Sequence, residues 1–533
     1  MPSPFDSSDT RFSDFTGDES IDALLGGTYW EDSSIPYSFP SSNNALLWST
    51  FSSGYGSQSG GGEPWNKKFK PLTSANRDDF ENALQQWANV ADIEFIQVAE
   101  TANKVGDIRA AYTFDADSLT LAWSYLPSDS PVAGDIWINT QGLLDTEDWN
   151  PGSMAFETVL HELGHALGLK HPFSSSDHSD DSDDSDDSDD SHDSDDSNHT
   201  FESVLSKNLD KTIYTVMSYT YANLEGEEGT GFSFHPTTPM VLDIVATQAL
   251  YGANNDFHTG NDTYIYDDAN TYHETIWDAG GSADTIRYIG SIPSLFDLNP
   301  AGGSIIGQSV YVQKNGNDVG LPVPNVWIAD GVTIENVIAG QGNDILIGND
   351  RSNNLDGGSG VDTVIVESAQ NQFSLAKNAS GYTLTEKKNS DHKDKLKNIE
   401  RLEFSDHKLA LDLDGHAGEV AKMLGAVFGA SALSNKDYVG TGLSKMDQGL
   451  NYEQLGALAI QATGLTGYDE IVSLLWKNLF DSDPQQSDIS PYVKLLDSQE
   501  ISIGNLASLA ANSSYNIQHI NLFELSQTGI AYI

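Results

Sequence analysis

The spacing of apolar residues changes character twice along the chain. In the first 250 residues the periods are mixed. RDDFENALQQWANV, from Arg77, sets apolar positions three and four apart as an amphipathic helix does, whereas DIRAAYTF and DIWINT read as short strands. MAFETVL, after Pro151, Gly152 and Ser153, supplies two turns of a further helix. From 251 to 412 the long apolar periodicities vanish, and β-formers alternate with Gly, Asn and Asp, which predicts short strands and tight turns. Helical spacing returns in EVAKMLGAVFG, YEQLGALAIQA and YDEIVSLLWKNLF. The closing stretch, NIQHINLFELSQTGIAYI, is apolar and poor in charge, and is expected to end the chain as a helix docked on its own domain.

Within the β-rich stretch, residues 339–347, 348–356 and 357–365 form three consecutive nine-residue units, and fixed-period repetition predicts stacked turns. GGSGVDTVI fits the calcium-binding repeat G-G-x-G-x-D-x-U-x fully, AGQGNDILI fits with Ala339 in place of the first Gly, and GNDRSNNLD is degenerate. The expected architecture is therefore α+β and multidomain. It comprises a mixed sheet-and-helix domain over 1–250, a parallel β-roll over 251–412 and a helical domain over 413–533. A length of 533 residues suits two to four domains of ~100–200 residues each.

Charge sharpens this picture. Seventy-nine acidic residues against 26 basic ones give a formal charge of −53, which disfavours nucleic acid and anionic membrane as partners and favours cations. Ca²⁺, which takes hard carboxylate and carbonyl oxygens, is the natural counter-ion. Part of the acid lies in a Ser/Asp/His tract over 174–198, whose like charges predict a disordered loop interrupting the first domain. Cysteine is absent, so disulfides, thiolate zinc sites and a cysteine nucleophile are excluded, and any metal must use His and carboxylates. The N-terminus shows neither the basic nor the apolar region of a cleaved export signal, and no run of about 18 apolar residues predicts a membrane span.

The strongest chemical signal is His161-Glu-Leu-Gly-His165-Ala-Leu-Gly-Leu-Lys-His171. Residues four apart share one helix face, so His161 and His165 can aim at one ion with Glu162 beside them. Gly168 can end the helix and turn the chain, letting His171 supply a third nitrogen. Three protein ligands leave a fourth position open, as catalytic rather than structural zinc requires. Glu162 is then placed to act as general base on a metal-activated water.

This motif resembles the H-E-x-x-H-x-x-G-x-x-H of metzincin peptidases, and Tyr214-Thr-Val-Met217-Ser-Tyr219 resembles their Met-turn. The resemblance is to the serralysin type and covers roughly residues 20–412. It implies a secreted zinc endopeptidase acting on proteins, with Met217 as a hydrophobic floor under the histidines. Tyr219 would be a further zinc ligand that swings away to stabilise the oxyanion. The strand beginning Gly134-Asp135-Ile136-Trp137 resembles the edge strand on which an extended substrate pairs.

The resemblance also fills in the RTX-type calcium region. One complete repeat site would use Gly340, Gly342 and Asp344 with Gly357, Ser359 and Asp362. Further loops suggest Asp278, Gly280, Gly281, Asp284, Thr333 and Glu335. The chain departs from the family pattern by one extra residue between Gly281 and Asp284, and by His258 where an arginine is expected. Sites of this class fill at extracellular calcium levels, so folding is expected to follow export. The family leaves the cell through the type I secretion apparatus with an uncleaved C-terminal signal, and a monomer is expected. Two other readings are a secreted calcium-binding adhesin or matrix protein with a silent peptidase fold, and a peptidase that processes only itself. Glu162 separates the first of these from a working enzyme.

Overall fold

The computed structural model describes residues 2–115, 120–141, 144, 149–173, 203–221 and 230–533. The Ser/Asp/His tract predicted as a disordered loop lies outside the described residues. Packing divides the chain into two compact units, the first made of 1–262, 268–284 and 300–333, the second of 263–267, 285–299 and 334–533.

The first unit is mixed α+β. Its main sheet runs in the spatial order Glu94–Gln97, Ser34–Ser38, Ile108–Thr113, Asp135–Asn139, Ala122–Ser124, with Lys70–Pro71 paired beside Ile108–Thr113. Among the described residues four helices, α1 (Glu19–Asp22), α2 (Ser74–Val90), α3 (Met154–Ala166) and α4 (Val241–Tyr251), complete it. Helix α2 begins three residues before the stretch read from the sequence because the Thr73 side chain caps it, accepting from the Asn76 amide. Its apolar face buries Phe80, Leu84 and Trp87 and packs on α3. Helix α3 starts at the predicted place, where Ser153 accepts from the Phe156 amide. It lies against the strands Asp135–Asn139 and Ala122–Ser124.

One expectation is corrected by this sheet order. Asp135–Asn139 is not an edge strand: it is parallel to Ile108–Thr113 on one side and antiparallel to Ala122–Ser124 on the other. Asp135, Ile136 and Trp137 are each 1 % exposed, and Gly134 turns at φ +71 where a β-carbon would meet the Asp107 carbonyl. A strand buried at every position is flanked on both sides and covered on both faces. Ala122–Ser124, half-buried throughout, forms that border of the sheet among the described residues.

The second unit contains the β-roll. Seven strands make one sheet, in the order Thr263–Asp267, Thr285–Ile289, Asn336–Ile338, Asn354–Asp356, Lys393–Lys397, Gly381–Glu386, Phe373–Asn378. Six make the other: Leu295–Asp297, Ile345–Ile347, Thr363–Val366, Arg401–Phe404, Lys408–Ala410, Ile530–Tyr532. The nine-residue period is visible in the register. Val337 pairs with Leu355 and Leu346 with Val364, each 18 residues on, so successive repeats alternate between the two sheets. The U position of each unit, Leu346, Leu355 or Val364, points inward and is buried. The degenerate middle repeat keeps its strand because Leu355 preserves that one inward residue.

Eight helices follow from His416: α5 (His416–Phe428), α6 (Lys436–Asp447), α7 (Tyr452–Ala462), α8 (Tyr468–Phe480), α9 (Gln486–Asp497), α10 (Ile503–Ala511), α11 (Ser514–His519) and α12 (Leu522–Thr528). Their core includes Val420, Leu443, Ile471 and Ala507. The terminal stretch departs from its predicted helix at Gly529, whose φ of +75 ends α12. Ile530–Tyr532 is instead a strand, antiparallel to Lys408–Ala410.

Candidate metal centre

Helix α3 carries His161 and His165 one turn apart on one face, with Glu162 between them, all three on the buried side or its rim. After α3, Gly168 adopts φ +105, where a β-carbon would meet the Thr28 carbonyl at 2.4 Å. Leu169 bridges Leu25, and the Lys170 amide donates to the Leu24 carbonyl, so the chain is turned and pinned before His171. The Nε2 atoms of His161 and His165 each lie 3.1 Å from His171 Nε2, and the Tyr219 hydroxyl lies 2.9 Å from the same nitrogen.

The other ring nitrogens face backbone carbonyls: His161 Nδ1 lies 2.7 Å from the Val216 oxygen and His165 Nδ1 2.8 Å from that of Leu169. Donation from Nδ1 leaves the Nε2 lone pairs free to converge, which is the tautomer a metal ligand needs. Burial, and after it the neighbouring His165, pushes His161 down to about 3, so it is neutral at physiological pH. Glu162 Oε2 is buried without a hydrogen-bond partner among the described residues, and burial pushes this carboxyl up to about 8. Three convergent imidazole nitrogens with an orphaned carboxylate oxygen beside them fit a tetrahedral zinc ion with one position left open. Met217 is wholly buried, and its Sδ lies under Gly164 of the same helix.

Two family models match the chain: Matrixin over residues 66–180, and Peptidase M10 serralysin C terminal over 241–433. The first match contains the histidine triad, and the second spans the repeats. The chain thus carries a matrixin-type stretch followed by a serralysin-type C-terminal stretch. It is 33 % identical over 314 residues to Serralysin of Photorhabdus laumondii, a match that covers 55 % of this chain and 57 % of that protein. Against Metalloprotease AprA of Pseudomonas entomophila it is 31 % identical over 307 residues, 54 % of this chain and 56 % of the relative. Serralysin of Proteus mirabilis is 30 % identical over 325 residues, with 55 % and 59 % covered. The chain thus spans between half and two thirds of the length of these relatives.

The calcium residues inferred from the serralysin pattern fall into two settings. In the roll, Asp344 Oδ1 accepts from the Ser294 amide at 2.8 Å, Asp362 Oδ1 from the Asp344 amide at 2.8 Å, and Glu400 Oε2 from the Asp362 amide at 2.9 Å. This ladder leaves Asp362 Oδ2 buried and without a partner among the described residues. A β-carbon on Gly358 would lie 2.2 Å from the Gly340 carbonyl, and one on Gly360 2.0 Å from that of Gly342. On Gly357 it would lie 2.6 Å from Asp362 Oδ2, while the Ser359 amide donates to Gly340. The turn carrying Gly357, Ser359 and Asp362 is therefore stacked closely on the one carrying Gly340, Gly342 and Asp344, and the buried Asp362 Oδ2 is the oxygen there that suits a hard cation.

In the first unit, Asp278 Oδ1 accepts from the Gly280 amide, and Asp284 Oδ1 accepts from the Asp262 amide at 2.6 Å. A β-carbon on Gly281 would meet both the Asp284 carboxylate and the Gly260 carbonyl. His258, Asp262 and Asp278 place ligand atoms within 4.8 Å of one another. Asp262 was not selected from the sequence, although the Gly-Asn-Asp spelling at 260–262 repeats that at 342–344. Thr333 belongs to the first unit and Glu335 to the second, where the Glu335 carbonyl accepts from the Asn354 amide.

Proposed function

We propose that this protein is a secreted zinc-dependent endopeptidase that hydrolyses peptide bonds of extracellular proteins. The observation that carries the reading is the convergence of three imidazole nitrogens beside Glu162 Oε2, which has no hydrogen-bond partner among the described residues. His161, His165 and His171 would hold the zinc, and the closeness of the Tyr219 hydroxyl to His171 Nε2, 2.9 Å, supports Tyr219 as a further ligand. When bound, zinc acts as a Lewis acid that acidifies a water and polarises a carbonyl. Glu162 takes the proton of the attacking water on its carboxylate and passes it to the leaving nitrogen. The Tyr219 hydroxyl donates a hydrogen bond to the oxygen of the carbonyl under attack.

Ala122–Ser124 is the natural place for an extended substrate. The Asn139 amide donates to the Leu121 carbonyl, and the Tyr125 amide to that of Asp135, so Ala122 and Ser124 direct their amides and carbonyls away from the sheet. A peptide could pair there by β-augmentation, with the zinc helix packed behind the strand. Calcium held in the roll would stabilise the second unit outside the cell. Export through a type I secretion apparatus, a monomeric state and a division into domains at 250 and 412 complete the reading.

The test is cleavage of an unstructured protein, casein, by the purified wild type in Zn²⁺ and Ca²⁺ beside Glu162→Ala of equal zinc content. Cleavage by the wild type alone supports both the peptidase and its base. A folded, zinc-loaded wild type that cleaves nothing favours the calcium-binding adhesin or matrix reading.

A further inference from the structure

Asp243 stands at the third position of α4, where a carboxylate ordinarily caps its own helix, and its Oδ2 does accept from the Met240 amide at 2.8 Å. Capping accounts for one hydrogen bond. The same Oδ2 also accepts from the Val216 amide at 2.8 Å, and Oδ1 accepts from the Thr215 hydroxyl at 2.5 Å. Thr215 Oγ1 in turn accepts from the Met217 amide at 3.1 Å. The turn from Thr215 to Met217 is therefore gripped by a side chain 27 residues away in sequence.

That turn touches the metal centre at two points. The Val216 carbonyl faces His161 Nδ1, and Met217 Sδ packs under Gly164 between His161 and His165. Asp243 has no exposed surface and, among the described residues, no cation among its hydrogen-bond partners, and burial pushes its carboxyl up to about 7. A buried, unpaired carboxylate costs stability. A helix cap alone is met as well by a neutral or surface side chain, so the cost points to a use beyond capping.

We infer that Asp243 is a positioning residue for the metal centre: by gripping Thr215 and Val216 it fixes the carbonyl that sets the orientation and tautomer of His161. This rests on the zinc reading of the histidine triad. Partners that orient a metal-ligating histidine typically change metal affinity by about 10–100-fold when removed.

The experiment measures zinc affinity by chelator competition, and the visible spectrum of the Co²⁺-substituted protein, for the wild type and four variants. Asp243→Ala is expected to weaken zinc by about 10–100-fold and to change the cobalt bands. Thr215→Val, which removes only the hydroxyl link, is expected to move both readouts less and in the same direction, and it carries the test should Asp243→Ala not fold. Leu84→Ala removes a buried side chain of α2, which lies outside the turn and takes no part in its hydrogen bonds to Asp243. It is expected to lower the melting temperature while leaving the cobalt spectrum unchanged. His161→Ala separates the two readings. Equal zinc affinity in His161→Ala and the wild type overturns the metal site and this inference together. Equal affinity in Asp243→Ala and the wild type, with His161→Ala impaired, overturns this inference alone. So does a Leu84→Ala variant that disturbs zinc and cobalt as much as Asp243→Ala.

Discussion

Met217 Sδ lies 2.5 Å from the point where a β-carbon on Gly164 would stand. Only glycine at this position of α3 lets the thioether seat itself beneath the helix, between the turns that carry His161 and His165. Gly164→Ala, otherwise favourable for a helix by up to about 1 kcal/mol, is expected to destabilise the first unit by about 1–3 kcal/mol through overpacking. It should also weaken zinc retention on dialysis against a chelator. A variant as stable and as zinc-tight as the wild type would show that Met217 can move aside freely.

Tyr219 is 37 % exposed while its hydroxyl reaches His171 Nε2 at 2.9 Å. Its neighbours are anchored, Ser218 to the Asp210 carboxylate and Thr220 through its carbonyl to the Thr212 amide. Tyr219→Phe should therefore leave the backbone and the three imidazoles in place. Zinc content is expected to be unchanged, KM to move little, and kcat to fall by about 10²–10³, the usual effect of losing one oxyanion donor. Steady-state kinetics on a short fluorogenic peptide decide it. A fall in zinc content matching the fall in kcat would assign Tyr219 to metal retention instead.

How much of this could be read in the sequence depends on distance along the chain. His161, His165 and Glu162 lie within one helical turn, and Gly168 and His171 follow within six residues, so local geometry determines their meeting. The nine-residue roll was equally legible, since each repeat encodes its own half-turn. Asp243 and Asp262 were missed because their roles depend on segments elsewhere: Asp243 on a turn 27 residues away, Asp262 on the loop carrying Asp284. The edge-strand assignment failed for a related reason. Ile136 and Trp137 look like strand in any position, and only the pairing of 122–124 alongside shows that the strand is internal. In the terminal stretch, Ile530–Tyr532 becomes a strand by pairing with residues more than a hundred positions earlier, which no local period reveals.

Asp135 offers a test by pH. Its carboxylate accepts from the Tyr55 hydroxyl at 2.5 Å and lies 3.9 Å from Arg109, but Arg109 is already paired with Glu100 at 2.8 Å. Burial outweighs both partners and pushes Asp135 up to about 8. Against an unfolded value of about 4, the folded state holds the extra proton between those limits. Stability is therefore greatest at acid pH and is lost as pH rises towards 8, with a slope of at most about 1.4 kcal/mol per pH unit from this group. Asp135→Asn should flatten the slope between pH 5 and 8. Denaturant unfolding followed by tryptophan fluorescence reports the first unit, since of the ten tryptophans Trp476 alone lies in the second. Parallel curves for variant and wild type would remove Asp135 as the source.

The roll makes a prediction whose sign depends on calcium. Burial, and with it the carboxylates of Glu400, Asp344 and Asp356, pushes Asp362 up to about 8. Without a cation, this charge is a liability at neutral pH. Asp362→Asn keeps an oxygen for the Asp344 amide while removing the charge, so in a calcium chelator the variant's second unit is expected to be as stable as the wild type or more so. Adding Ca²⁺ should reverse the order, because the wild type supplies the buried carboxylate oxygen that a calcium ion would take. Saturation at about 100 times Kd stabilises by about 2.7 kcal/mol, and a weaker site gives less. The melting transition of the second unit, measured with and without millimolar Ca²⁺, should therefore show the two proteins crossing. If Asp362→Asn is less stable in both conditions, Asp362 serves the ladder between turns rather than the ion. Equal calcium shifts in the two proteins would place the responsive site elsewhere, with the cluster of His258, Asp262 and Asp278 the next to be substituted.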